Sequence, residues 1–172
     1  MPLIKNILFF SIIISVLFIQ KTFAADLKKV GKYKDWEVMV MSDQSGKVCF
    51  AQSKPVLQAP KKDSREARLF ITFRPNEKIS NEISVTSGYD FNTKNTVMAI
   101  SGKNKYKFDL IQEGFAWMSD PQSKLEKKMI KTMKKGSRIM ITGHNQNGSQ
   151  TIDHYSLLGF TKAYNATRAN CS

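Results

Sequence analysis

The chain has 172 residues and carries 27 lysines and arginines against 14 acidic residues, a formal charge of +13. That length and a 41% hydrophobic content fit one domain with its own core, and two cysteines are too few for a disulfide-dense scaffold or a closed zinc site. The positive excess either selects anionic partners or simply keeps the chain soluble.

Residues 1–24 read as a secretory signal peptide. Lys5 supplies the basic start, and an apolar run of about 13 residues from Ile7 to Ile19 is broken only by Ser11 and Ser15. Thr22-Phe23-Ala24 offers small residues for cleavage before Ala25. The run is short of the ~20 residues that span a bilayer, so removal is expected, with no transmembrane segment afterwards. Losing Lys5 and Lys21 leaves 25 basic against 14 acidic residues, about +11, on a single domain over 25–172.

Residues 25–34 are polar and basic and read as a loose lead-in. Period-2 alternation follows: Trp36, Val38 and Val40 share one face, with Glu37, Met39 and Met41 on the other. A turn at 43–46 returns the chain along Val48 to Gln52, and the Pro- and Lys-containing stretch 54–66 reads as an exposed loop. Leu69, Ile71 and Phe73 alternate until Pro75, which cannot donate to a ladder, stops the strand. Ile83 with Val85, then Val97 to Ile100, then Tyr106, Phe108 and Leu110 give three more strands. Short strands with regular turn signals predict a mainly β domain, an antiparallel β-sandwich or barrel.

One helix interrupts them. Asp120 suits an N-cap, Pro121 the first turn, and Gly136 the left-handed residue just past the end. Leu125, Met129, Ile130 and Met133 make the apolar stripe expected to dock on the sheet. Lys124, Lys127, Lys128, Lys131, Lys134 and Lys135 fill the remainder and are possible anion contacts, as are Lys103, Lys105 and Lys107. Asn147-Gly148 is a hairpin signal. As a two-residue turn it places Ile141 opposite His154 and sets Ile139, Ile141 and Ile152 on one core face. After Gly159 the apolar spacing turns helical through Phe160, Ala163, Tyr164, Thr167 and Cys171.

Cys49 and Cys171 are the only cysteines. In an oxidising compartment they pair most simply with each other, closing a loop worth roughly 4–5 kcal/mol in the chain-entropy model; two buried free thiols are the alternative. No catalytic motif is present. Asp153-His154 beside Ser156 imitates a triad, but neighbours on a strand point to opposite faces, so Asp153 cannot orient that imidazole. His144 and His154 fall on opposite faces in the hairpin register above, which speaks against a shared metal. Lys103 to Lys107 interleaves Tyr106 with cations as a single-strand-binding surface would, yet an exported protein rarely meets nucleic acid, and lysines also guard sheet edges. The expectation is therefore no enzyme, no cofactor, no metal and no nucleic acid.

Trp36-x-Val38, Cys49, Arg74-Pro75, Ala116-Trp117 with Asp120, Met133 to Gly136, Gly143, and Asp153-x-Tyr155-Ser156-Leu157-x-Gly159-Phe160-Thr161-x-Ala163 with Cys171 occur in an order that resembles the invasion-associated locus B family of alphaproteobacteria. The extra central cysteine pair of many relatives is missing here. The resemblance implies a periplasmic, secreted or outer-surface β-rich protein linked to envelope function or host-cell invasion, and it brings no catalytic residues. Partners on this reading are an anionic envelope or host-surface component, such as lipopolysaccharide or an acidic glycan, or another protein; an envelope hydrolase without a recognisable motif is the competing class. Trp36, Trp117, Tyr155 and Phe160 match family positions and read as core.

Overall fold

A computed structural model describes residues 26–44, 46–61, 64–119 and 124–172. The signal peptide with its cleavage site and the Asp120–Pro121 helix start lie outside the described residues. Among these residues twelve strands and two α-helices follow in order: β1 (Asp26–Tyr33), β2 (Trp36–Asp43), β3 (Gly46–Ser53), β4 (Leu57–Ala59), β5 (Arg68–Arg74), β6 (Ile79–Thr86), β7 (Val97–Ser101), β8 (Asn104–Phe108), β9 (Leu110–Gln112), β10 (Phe115–Trp117), α1 (Lys124–Lys135), β11 (Arg138–His144), β12 (Gln150–Ser156) and α2 (Phe160–Asn170). The strands form a seven-stranded sheet, β1-β2-β3-β5-β6-β10-β9, and a five-stranded sheet, β4-β12-β11-β7-β8. Two open antiparallel sheets, not a closed barrel, resolve the sandwich-or-barrel alternative.

Alternation sets the core. Trp36, Val38, Ala51, Leu69, Ile71, Ile83 and Val85 point inward from the larger sheet, and Val97, Ala99, Phe108, Ile139, Ile141 and Tyr155 from the smaller. The indole N–H of Trp36 donates to the Ser156 carbonyl at 3.0 Å, and its ring meets Phe160 edge-on. That satisfies the one polar group a buried tryptophan brings. On α2, Phe160, Ala163, Tyr164 and Thr167 are buried, as their spacing predicts. Cys171 is bonded to the fully buried Cys49 on β3, which staples this helix to the larger sheet.

Several expectations need correction. The lead-in 25–34 contains an edge strand, β1, paired with β2 and largely exposed; its lysines suit an unpaired edge. The segment 54–66 contains β4, which pairs with β12. Leu110 does not share the face of Tyr106 and Phe108. The chain changes sheets after Phe108, and Leu110 opens β9, 53% exposed. β9 and β10 turn through Glu113 and Gly114, both at positive φ, the backbone a tight primed turn requires.

The β11–β12 register differs by one residue. Asn145, where the two-residue turn would have Gln146, pairs with Ser149, so the loop holds three residues, with Gly148 at φ 81° closing it. Ile141 therefore faces Asp153, and Met140 faces His154. A slip of one turns every side chain of β12 over: Thr151, Asp153 and Tyr155 are buried, while Ile152 and His154 look outward.

Candidate functional site

The lysine-rich helix was the first candidate, and its packing decides which lysines can act together. The residues of α1 that face the core are Glu126, Met129, Ile130 and Met133, an i, i+3, i+4, i+7 stripe. Leu125 is not inward; it is 47% exposed, and Glu126 takes its place on the buried stripe, with its carboxylate accepting from the backbone N–H of Ile83 on β6. Tyr106 ties the helix to β8 through a 2.7 Å hydrogen bond with the Thr132 hydroxyl. At the C-terminal end the Gly136 N–H donates to Thr132 O at 2.9 Å. Gly136 is not left-handed; it is needed for space, because a Cβ there would lie 3.1 Å from Leu157 and 3.3 Å from the Ser101 hydroxyl.

This close approach leaves an open cleft of about 650 Å³ between the second half of α1 and the β7–β8 turn. Lys128, Lys131, Lys135 and Arg138 line it, with Ser101, Asn104, Thr132 and Ser137 supplying hydroxyls and an amide. Among the described residues none of these four cations is in an ion pair. Such a cleft can donate several charge-assisted hydrogen bonds to one polyanion.

The other lysines separate into different environments. Lys134 lies over the Tyr164 ring, 3.9 Å from its centroid, and burial followed by the nearby Arg168 lowers its pKa. Lys124 and Lys127 are exposed on α1 outside the cleft. Lys103, Lys105 and Lys107 are exposed along the β7–β8 turn and the β8 edge, and Lys107 reaches Asp109 at 3.7 Å. Arg138 escaped sequence reasoning. Its only signal is a cation two residues past the helix-ending glycine.

A second polar cluster also went unforeseen. Asp153 is fully buried and receives Arg65 as a two-pronged pair, Nη2 to Oδ1 at 2.7 Å and Nη1 to Oδ2 at 3.1 Å. Gln58 and Ser87 donate to the same carboxylate at 3.1 and 3.3 Å. Arg65 also lies over the Tyr89 ring, 5.7 Å from the centroid. Burial raises the Tyr89 phenol; burial, and then the Asp153 charge, holds Tyr155 well above the ordinary tyrosine range. The cluster pins the 54–66 segment to the smaller sheet. It does not assemble a triad, because His154 faces away from Asp153.

His144 and His154 share the outer face, contrary to the expected register. They sit four residues apart along paired strands, roughly 13 Å at the usual rise, too far to share a metal. No group of three histidine, cysteine or acidic side chains able to hold a metal occurs among the described residues. No described helix is long and apolar enough to cross a membrane. Trp117 is the one family-matching aromatic outside the core. It lies partly buried on the outer face of the larger sheet, stacked on Phe115.

Comparison with known proteins agrees with this architecture. No curated protein matches the chain. The crystal structure of invasion associated protein b from Bartonella henselae is similar in fold, with a TM-score of 0.55 at 11% identity, covering 81% of this chain and 95% of that one. The model of the invasion associated locus B (IalB) protein family matches residues 36–168, and the chain belongs to that family.

Proposed function

We propose that the protein is an exported, non-enzymatic binding protein of the bacterial envelope or surface, periplasmic or secreted, which seats a polyanion in the α1 cleft. The carrying observation is the convergence of Lys128, Lys131, Lys135 and Arg138 on one cleft, none of them in an ion pair among the described residues. Lipopolysaccharide phosphates or the carboxylates and sulfates of an acidic glycan fit such a site. The signal-like segment 1–24, the Cys49–Cys171 bond and family membership support export. A link to host-cell invasion follows from the family's name, and the cleft offers it a physical means, adhesion to anionic surface material.

The test is binding of the mature protein to lipopolysaccharide and to heparin at low and physiological salt. Binding should weaken steeply as salt rises, since these cations are exposed and screened. Lys128→Glu with Lys131→Glu and Arg138→Glu should abolish it, whereas Lys124→Glu with Lys127→Glu should reduce it only modestly. Tight binding indifferent to salt, or none to either probe, rejects the reading.

A further inference from the structure

The outer face of the larger sheet carries a row of aromatic rings that packing inside the chain does not require. Phe50 on β3, Phe70 on β5, and Phe115 and Trp117 on β10 run across four neighbouring strands, with successive ring centroids 6.0, 5.9 and 5.6 Å apart. All four are only partly buried. At ~4.8 Å per strand the row is roughly 15 Å long. It ends at Leu110, which pairs with Trp117 and is 53% exposed.

Two further features say what this face fits. Polar groups alternate with the rings along the sheet: Phe50 pairs with Thr72, Phe70 with Gln52 and Ser84, Trp117 with Ser84, and Phe115 with Thr86 and Gln112. Thr72 and Ser84, only 8% and 6% exposed, bring hydroxyls to this face between the rings. A protein partner would strand such groups in an apolar contact, where unpaired polar atoms are costly. The face is also electrically balanced in a strongly basic protein. Arg68 is held by Glu66, and Arg74 by Glu82 and Glu77. The groove of about 580 Å³ beside Trp117 is lined by two cations, Arg74 and Lys78, and two carboxylates, Glu82 and Glu126.

We propose that this face, centred on Trp117, Phe115 and Phe70, binds an uncharged saccharide chain. Sugar rings have apolar C–H faces and hydroxyl rims. The C–H faces suit the negative faces of the aromatic rings, and the hydroxyls meet Thr72, Ser84, Gln112 and Glu82 between them. The site is separate from the basic cleft, so the two bind independently.

The two tryptophans make the test direct, since Trp36 is fully buried and Trp117 lies at the site. Titrating the mature protein with chitohexaose, cellohexaose and maltohexaose should give a saturable change in tryptophan emission with at least one of them. Trp117→Ala should remove the emission change and weaken calorimetric affinity by about tenfold or more. Leu110→Arg, a change at an exposed site, should weaken affinity without altering the circular dichroism. Raising the salt, or Lys131→Glu, should leave this binding unchanged. Failure of all three sugars to bind overturns the proposal. So does a concentration-dependent dimer that Trp117→Ala dissolves, because a second copy would then be what covers the face.

Discussion

The Arg65–Asp153 cluster and the α1 cleft use the same kinds of side chain to opposite ends. In the first, one carboxylate is enclosed by four donor contacts and excluded from water. In the second, four cations stand exposed around a cleft with no acid paired to them among the described residues. A buried charge must be answered within the fold because desolvation is costly, whereas an exposed one is answered by water until a partner arrives. The first arrangement holds a segment in place, and the second retains capacity for binding.

The largest expected effect is on the enclosed side. Asp153→Ala leaves Arg65 charged and buried, and should cost about 3–5 kcal/mol in urea unfolding. The double variant Arg65→Met/Asp153→Leu should recover much of that loss, because an apolar pair has no charge to desolvate. If Asp153→Ala proves nearly neutral, the contrast collapses. Met129→Asp, which buries an unpaired charge against the core, should likewise cost several kcal/mol.

A pH titration sharpens the comparison. Tyr155 and Tyr89 have folded pKa values above the ordinary value near 10, chiefly through burial. Their contribution is complete below pH 10 and is lost as pH rises past it, since the unfolded chain gives up these protons first. Melting temperature should therefore fall above about pH 10, and Tyr155→Phe should lessen the fall. The Tyr155 hydroxyl is buried without a partner among the described residues, so this substitution should cost little at neutral pH. The smallest effect belongs to the cleft: Lys131→Glu should shift stability by no more than about 0.5 kcal/mol while weakening heparin binding. A large loss of stability would show that the lysine has a structural partner.

The sequence made many of the strands and the terminal helix legible, because period 2 and period 3.6 are both plain around Trp36, Leu69 and Phe160. The Cys49–Cys171 pairing followed from arithmetic and compartment. What stayed hidden depended on single residues. One extra loop residue before Gly148 moved Asp153 from the outer face to the core, and with it the whole Arg65 cluster. Glu126 occupies a helix position that pattern reading gave to Leu125, because a carboxylate that finds the backbone N–H of Ile83 can replace an apolar side chain. Glu113-Gly114 forms its tight turn without the usual Asn or Asp at the first position, which concealed the β9–β10 hairpin and the outward role of Trp117. Of the site, the helix lysines were evident, but their division into a cleft group, a Tyr164-bound lysine and two exposed outliers needed three dimensions.

The bond between Cys49 and Cys171 also determines how the protein responds to pulling. A force applied across it passes from β3 straight into the end of α2 and bypasses the 122-residue separation between them. Only β1, β2 and the start of β3 can then peel away, and the sandwich behind them carries no load. Reducing the bond would release roughly 400 Å of extra contour at ~3.4 Å per residue. A protein held to a surface under shear would thus keep the chain between these cysteines, which carries its basic cleft and its aromatic face, out of the line of force for as long as that one link stays oxidised.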